Sequence, residues 1–195
     1  MGYALQKIGL FGGTFDPPHL GHTQIAQAAV EQYQLDRVIF IPCKQSPLKR
    51  KAPIARAHRI KMLELAVEEN EKFEISCVEL ERKEPSFSYL TIEYFHQLYP
   101  ETELFWIIGS DQWKDLPRWR NLKRMASTAS FIVYPRPRPP MPRGDAIPCL
   151  HLKGKPIDIS ATMIRQRLRR GQSIRPFLAE NVYRYIVQNK IYEKT

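Results

Sequence analysis

Two histidines near the start of the chain follow a glycine pair in a pattern that could bind phosphate. The segment IGLFGGTFDPPHLGH, residues 8–22, is apolar at first, breaks at Gly12 and Gly13, and presents His19 and His22 as a helical pattern starts. A buried strand, a glycine turn and a helix start bring backbone N–H groups and a positive dipole end together. Glycines also let a ligand approach the backbone closely. The pattern predicts an anion site, with a plain β-to-α turn carrying two solvated histidines as the alternative.

A second candidate anion site lies near the other end of the chain. The segment ISATMIR, residues 159–165, has Ser160 as the predicted N-cap of a helix, with Gly171 as its C-cap. Hydroxyls on Ser160 and Thr162 accompany the unpaired N–H groups of the first turn, and Arg165 follows one turn later. An ordinary capped helix with a solvated arginine is the alternative.

Neither segment matches other common phosphate or metal motifs. The first is not the dinucleotide fingerprint G-x-G-x-x-G, nor does it end in G-K-[ST]. No third residue in a zinc-binding spacing accompanies His19 and His22, so no protein-held metal is predicted. A catalytic carboxylate pair is also missing from these segments. Asp16 is interpreted as capping the turn rather than orienting a substrate.

Charge and composition indicate a small anionic ligand. The 195 residues carry a net charge of +10 and predict one domain, 1–195, in which the helices at about 160–190 complete the site. Basic residues without acids fill 44–61 and 165–175. Few aromatic residues lie among them, so a polyphosphate is favoured over nucleic acid. The odd number of cysteines and the lack of a long apolar run predict a cytoplasmic location without membrane contact.

Predicted strands and helices alternate along the chain. After the strand that begins near residue 8, predicted strands cover 37–42, 73–78, 104–108, 131–134 and 149–152; predicted helices cover 23–34, 56–69, 88–98, 119–126, 161–170 and 179–190. This alternation predicts an α/β fold, a Rossmann-like parallel sheet with helices on both faces. Ligands bind at the carboxyl edge of such sheets, where the Gly12–Gly13 turn, the 44–51 loop and the Gly109–Asp111 turn would meet. The proline-rich segment 135–144 is predicted to be an exposed loop.

Together, the two anion segments resemble the nucleotidyltransferase superfamily, whose members carry an H-x-G-H-type motif and an I-S-S-T-x-x-R motif. More closely, the chain is similar to the bacterial nicotinate-nucleotide adenylyltransferase family, nearly from end to end. The other matching segments are SPLK at 46–49, SY at 88–89, IIGSDQWKDLPRW at 107–119 and VYRYIVQNKIY at 182–192. The resemblance implies a fold of the nucleotidyltransferase type.

The resemblance also implies roles for individual residues. His19, His22 and Arg165 would be catalytic, stabilising charge on the phosphates of ATP rather than acting as bases. The other residues that it assigns to ATP are Gly12, Gly13, Thr14, Phe15, Lys49, Gly109, Asp111, Ser160 and Thr162. The residues that it assigns to the mononucleotide are Ser88, Tyr89, Leu90 and Trp119.

Three positions depart from the family's pattern. Ala161 replaces the second serine of I-S-S-T, and Leu48 stands where a histidine often precedes the lysine, which leaves Lys49 as the phosphate contact. Leu90 replaces the threonine of an S-Y-T motif. This last departure leaves open which residues would contact a carboxylate on the pyridine ring.

The implied reaction is adenylyl transfer from ATP to nicotinate mononucleotide, with Mg²⁺ bridging the phosphates. Nicotinamide mononucleotide and phosphopantetheine are alternative acceptors within the superfamily, and a basic nucleic-acid-binding relative is an alternative of another class. The expected partners are ATP and a pyridine mononucleotide, without nucleic acid. A homo-oligomer is left open.

Overall fold

The computed structural model describes residues 5–45, 52–83, 85–137 and 147–192. The described part contains six strands: β1 Gln6–Gly13, β2 Arg37–Pro42, β3 Phe73–Ile75, β4 Thr102–Gly109, β5 Ser130–Tyr134 and β6 Cys149–His151. They form one sheet in the order β3-β2-β1-β4-β5-β6, and every pair is parallel. The predicted parallel α/β sheet is confirmed.

Helices follow most of the strands. They are α1 Leu20–Tyr33, α2 Arg56–Val67, α3 Val78–Glu81, α4 Ser88–Leu98, α5 Ser110–Lys114, α6 Leu122–Thr128, α7 Ala161–Arg169 and α8 Glu180–Gln188. Short 3₁₀ turns cover Leu116–Arg118 and Arg175–Phe177. No helix within the described ranges combines the length and apolarity needed to cross a bilayer.

Alternate residues of the central strands face two separate hydrophobic clusters. Phe11, Phe40 and Ile107 belong to the cluster that α1 and α2 cover, whereas Leu10 and Trp106 belong to the one that α4 and α6 cover. Strands buried on both faces read as continuous apolar runs, which is why LFWII and RVIFIP were identifiable as strands. The layered arrangement places helices on both faces, as predicted.

A third cluster attaches the C-terminal helices to α2 rather than to the sheet. Met62 of α2 packs with Ile164 of α7 and with Val182 and Ile186 of α8. Val182 and Ile186 are four residues apart and therefore lie on one face of α8. This packing holds the start of α7 beside the carboxyl edge of the sheet.

Several boundaries differ from the sequence predictions. Helix α1 begins at Leu20, directly after His19, instead of at residue 23. The strand predicted for 73–78 ends at Ile75, because only Phe73–Ile75 pairs with β2. The helix predicted for 119–126 is instead α6, Leu122–Thr128, which starts three residues later because its N-cap, Asn121, adopts a left-handed φ of 56°.

Two expected turns also differ. The predicted turn at Gly109–Asp111 is the start of α5. Gly171, with φ of 68°, lies one residue beyond the C-cap Arg170. The N–H of Gly171 bonds to the carbonyl of Leu168 and that of Gln172 to the carbonyl of Arg167, the Schellman arrangement. Residues 138–144 of the proline-rich segment 135–144 lie outside the described residues.

Candidate active site

A cavity of about 1030 Å³ opens at the carboxyl edge of the sheet. Twelve of the residues assigned from the sequence line it: Gly12, Gly13, Thr14, Phe15, His19, His22, Ser88, Asp111, Trp119, Ser160, Thr162 and Arg165. Gly109, Tyr89 and Leu90 do not line it, and Lys49 lies outside the described residues. The two predicted anion segments, 130 or more positions apart in sequence, therefore face one space.

The glycines that end β1 and β4 make room for protein side chains. A Cβ on Gly13 would lie 2.8 Å from the ring of Phe15. A Cβ on Gly109 would lie 2.9 Å from the hydroxyl of Tyr134 and would also strike the carboxylate of Asp111. Gly109 thus has an indirect role, because it lets Asp111 and Tyr134 approach the end of β4.

His19 and His22 stack on each other at the start of α1. Their ring centroids are 3.6 Å apart with an interplanar angle of 26°. The backbone N–H of His19 donates to Nδ1 of His22 at 3.1 Å, and Phe15 packs edge-on against His22 with centroids 5.0 Å apart. Because Nδ1 accepts a hydrogen bond, neutral His22 carries its proton on Nε2. The turn therefore orients His22 as an N–H donor.

His19 is held neutral by its surroundings. Only 4% of its surface is exposed, and burial, aided by the charge of Arg136, lowers its pKa from 6.5 to about 3. Its Nδ1 has no hydrogen-bond partner within the described residues. An added Cβ on Gly21 would lie 3.0 Å from this atom, so the glycine of HLGH gives the His19 ring its space. His19 offers a neutral polar group here rather than a positive charge.

The low pKa of His19 predicts a contribution to acid destabilisation. Between about pH 3 and 6.5 the unfolded chain binds a proton at this residue that the folded chain excludes. Stability is therefore lost as the pH falls through this window, by roughly 1 kcal/mol per pH unit. We expect His19→Gln to unfold in urea with a smaller loss of stability between about pH 7 and pH 5 than the wild type shows. The exposed His96→Gln serves as control, and an unchanged pH dependence in His19→Gln would contradict this account.

The start of α7 is tied to the turn after β1. The Ser160 hydroxyl accepts the N–H of Met163 at 3.2 Å, which confirms Ser160 as the N-cap. Arg165 donates from Nη2 to the Thr162 hydroxyl at 3.3 Å and from Nη1 to the backbone carbonyl of Asp16. The predicted C-terminal anion segment thus bonds directly to the N-terminal one.

The structure corrects the expectation that Asp16 caps its own turn. Asp16 is only 8% exposed, and its Oδ1 accepts a hydrogen bond from the hydroxyl of Tyr192 at 2.7 Å. Its Oδ2 lies 3.7 Å from Nη1 of Arg165. Asp16 therefore joins the first turn to the C-terminal part of the chain.

Arg136, just after β5, organises another wall of the cavity. It donates to the carbonyl of Ile159 at 2.7 Å, lies over the ring of Tyr134 at 5.0 Å and stands 3.8 Å from Asp111. Burial, opposed by Arg136, raises the pKa of Tyr134 to about 12. The sequence analysis did not single out Arg136, and the only signal for it was an arginine two residues after the strand predicted for 131–134.

Trp119 and the start of α4 form a further wall of the cavity. Ser86, Phe87 and Ser88 line it on one side, and Trp119 lines it with Arg118 and Arg120 on either side in sequence. Arg120 lies over the Phe87 ring at 5.2 Å.

Tyr89 and Leu90 were assigned to the mononucleotide from the sequence, but they do not line the cavity. Helix α4 begins at Ser88, and successive helical residues point about 100° apart, so the next two side chains turn away. Tyr89 packs against the cluster that α4 and α6 cover, and the Leu90 carbonyl faces Arg82 at 3.5 Å.

Comparison with known proteins is consistent with this architecture. Residues 10–167 match the cytidylyltransferase-like family. The chain is 40% identical over 189 residues to the probable nicotinate-nucleotide adenylyltransferase of Methylacidiphilum infernorum, covering 95% of this chain and 92% of the relative. It is 35% identical over 190 residues to the nicotinate-nucleotide adenylyltransferase of Bacillus subtilis, covering 97% and 100%. The chain belongs to the nicotinate-nucleotide adenylyltransferase family.

Solved structures show the same fold at lower sequence identity. Nicotinic acid mononucleotide adenylyltransferase of Plasmodium falciparum, complexed with NaAD, aligns with a TM-score of 0.79 at 20% identity, covering 96% of this chain and 97% of that one. A putative nicotinate-nucleotide adenylyltransferase from Vibrio parahaemolyticus aligns with a TM-score of 0.73 at 18% identity, covering 98% of each chain. The nucleotidyltransferase fold implied by the sequence is confirmed.

Two buried charged residues support the walls of the cavity. Arg59 is 2% exposed and donates to the carbonyls of Thr14 at 2.9 Å and Cys43 at 2.7 Å, so it joins the ends of β1 and β2. The sequence left the role of the basic run 44–61 open, and the structure shows that Arg59 within it is a buried donor. Glu79, which accepts from the Thr91 hydroxyl at 2.6 Å, has a pKa raised by burial.

Proposed function

We propose that the protein transfers the adenylyl group of ATP to nicotinate mononucleotide, giving nicotinate adenine dinucleotide and pyrophosphate for NAD biosynthesis. The observation that supports this proposal most directly is that His22, Arg165 and Trp119 line the same cavity. The first two belong to helix starts suited to phosphate, and the third offers an aromatic face to a pyridine ring. Its volume of about 1030 Å³ suits two nucleotides side by side. The names of the relatives support the same reaction.

The reaction needs no protein base. A phosphate monoester has its second pKa near about 6, so the mononucleotide is largely dianionic at neutral pH. One of its oxygens attacks the α-phosphorus of ATP, a new P–O bond forms, and the bond to the pyrophosphate oxygen breaks. Catalysis then consists of positioning both substrates and stabilising the negative charge of the leaving pyrophosphate.

Several groups of this chain are placed to supply that stabilisation. His22 presents its Nε2–H, and Arg165 brings a permanent positive charge. The N–H groups of the first turns of α1 and α7 add donors that no helical carbonyl satisfies. His19, kept neutral by burial, contributes polarity and orients its partner ring rather than adding charge.

Mg²⁺ remains part of the proposal, bound through the substrate. Within the described residues, no group of three or more His, Cys, Asp or Glu side chains could hold a metal ion. Asp16 and Asp111, which line the cavity, each face an arginine. This donor set fits an Mg²⁺ that is coordinated mainly by phosphate oxygens and water and that supplies charge neutralisation when bound.

The acid form of the mononucleotide is favoured by charge. Arg118 and Arg120 line the cavity on either side of Trp119, and a carboxylate on the pyridine ring would gain from them. Nicotinamide mononucleotide lacks that carboxylate. Phosphopantetheine lacks an aromatic ring for Trp119, and a nucleic-acid ligand would draw mainly on the net charge of +10.

We also propose a cytoplasmic location. Cys43, Cys77 and Cys149 form no disulfide, which is typical of proteins from reducing compartments. ATP and pyridine nucleotides, the proposed partners, are cytoplasmic metabolites.

Pyrophosphate release with different acceptors tests the proposal. With ATP present, we expect turnover with nicotinate mononucleotide, slower turnover with the amide and none with phosphopantetheine. Faster turnover with the amide would contradict the assignment of the acid. Absence of pyrophosphate, together with polynucleotide affinity that falls steeply with salt, would favour the nucleic-acid alternative.

A further inference from the structure

The last described residues return to the phosphate-binding turn. After α8, Lys190 and Tyr192 adopt left-handed φ angles of 51° and 71°, and Ile191 between them is buried in the third cluster. This path brings Tyr192 to the cavity wall, where its hydroxyl donates to Asp16 at 2.7 Å across 176 positions of sequence. Burial and the nearby Asp16 carboxylate raise the pKa of Tyr192, so its hydroxyl stays protonated at neutral pH and remains a donor.

Asp16 is the centre of this contact. Asp16 is 8% exposed, and a buried carboxylate is costly unless donors and positive charges surround it. The Tyr192 hydroxyl donates to Oδ1 of Asp16. Nη1 of Arg165 lies 3.7 Å from Oδ2 and also donates to the backbone carbonyl of Asp16. The buried guanidinium of Arg59 adds a further positive charge nearby.

We propose that Asp16, Arg165 and Tyr192 form a tail clasp, in which Tyr192 is a positioning residue that sets Arg165 for the triphosphate. This inference rests on the proposed use of ATP. A guanidinium has five N–H donors. Within the described residues, Arg165 uses one on Asp16 and one on Thr162, which leaves three for phosphate oxygens. The clasp thus fixes the side chain without consuming its capacity to bind an anion.

Loss of the Tyr192 hydroxyl would change the orientation of the Asp16 carboxylate. Oδ1 would be left buried without its donor, and the carboxylate would rotate towards the nearest remaining donors, those of Arg165. Arg165 would then be drawn onto Asp16 and away from the phosphates. Small misplacements of a positioning group can cost up to about 10²-fold in rate.

The test uses Tyr192→Phe, with Tyr185→Phe as a matched control. Tyr185 makes a hydrogen bond of similar length, 2.9 Å to Nδ1 of His58, but neither partner lines the cavity. Both variants therefore remove one hydroxyl that attaches the C-terminal part of the chain. We expect Tyr192→Phe to lower kcat/KM for ATP by about tenfold or more while KM for the mononucleotide stays unchanged. Tyr185→Phe should retain wild-type ATP kinetics.

A double variant shows whether Tyr192 acts through Arg165. In an Arg165→Ala background, adding Tyr192→Phe should cause no further loss of ATP use, because the group that it positions is gone. An equal loss in both backgrounds, or wild-type ATP kinetics in Tyr192→Phe, would overturn the clasp. Should Tyr192→Phe fail to fold, Asp16→Asn, which keeps the side-chain volume, should show the same dependence on Arg165.

ATP affinity, measured by calorimetry without an acceptor, tests the clasp independently of the proposed reaction. If the wild type released no pyrophosphate with any acceptor, the proposed function would fail. A weaker ATP affinity in Tyr192→Phe than in Tyr185→Phe would still support the clasp. Equal affinities would overturn it.

Discussion

His22→Ala is expected to lower kcat by about 10² or more while the fold survives. Removing one donor that stabilises transition-state charge typically costs about 10²- to 10³-fold in kcat. His22 is suited to that role because its Nδ1 accepts the His19 N–H at 3.1 Å, which directs the Nε2–H elsewhere. The measurement is steady-state pyrophosphate release at saturating substrates, with circular dichroism to verify folding.

The control for this variant is His96→Ala. His96 lies exposed in the last turn of α4 and does not line the cavity, so its replacement should leave kcat at the wild-type value. A folded His22→Ala enzyme with wild-type turnover would exclude His22 from the reaction.

Arg165→Ala is expected to lower kcat/KM for ATP by about 10²-fold without changing the preference between acid and amide mononucleotides. Arg165 contacts Thr162 and Asp16, where we propose that the triphosphate binds, whereas the pyridine ring is proposed to bind beside Trp119. The measurement is kcat/KM for ATP with each mononucleotide in turn.

Arg170→Ala is the matched control for charge. Arg170 is exposed at the C-cap of the same helix and outside the cavity lining. If its removal weakened ATP use as much as Arg165→Ala does, net charge rather than the position of Arg165 would explain the effect. A changed acid-to-amide ratio in Arg165→Ala would place Arg165 at the wrong end of the site.

The sheet was predictable because its strands are buried on both faces. The runs LFWII and RVIFIP show this burial directly in their composition, and β4 and β2 lie where those runs are. The carboxyl-edge rule then placed Gly12, Gly13 and Asp111 near one another without any knowledge of side-chain contacts. The helix start at Ser160 was also readable, since an N-cap depends on neighbours only three residues away.

The parts that could not be predicted depend on long-range packing. Nothing local to Asp16 indicates that its partner is Tyr192, 176 positions away. Arg59 reads as one more cation in a basic run, and only the meeting of β1, β2 and α2 makes it a buried donor. His19 reads as a possible charge, but its exposure of 4% keeps it neutral.

Tyr89 and Leu90 show the limit of motif alignment. A motif of consecutive residues implies that all of them reach the ligand, whereas a helix that starts at Ser88 rotates its next side chains away. Ser86 and Phe87, in the extended segment before α4, take that place on the cavity wall instead.

The central claim, adenylyl transfer by attack on the α-phosphorus, is tested most directly with ATP that carries radioactive phosphorus at the α or the γ position. With nicotinate mononucleotide as acceptor, the α label should appear in the dinucleotide and the γ label in pyrophosphate. Transfer of the γ label to the acceptor, with the α label left in ADP, would contradict the claim.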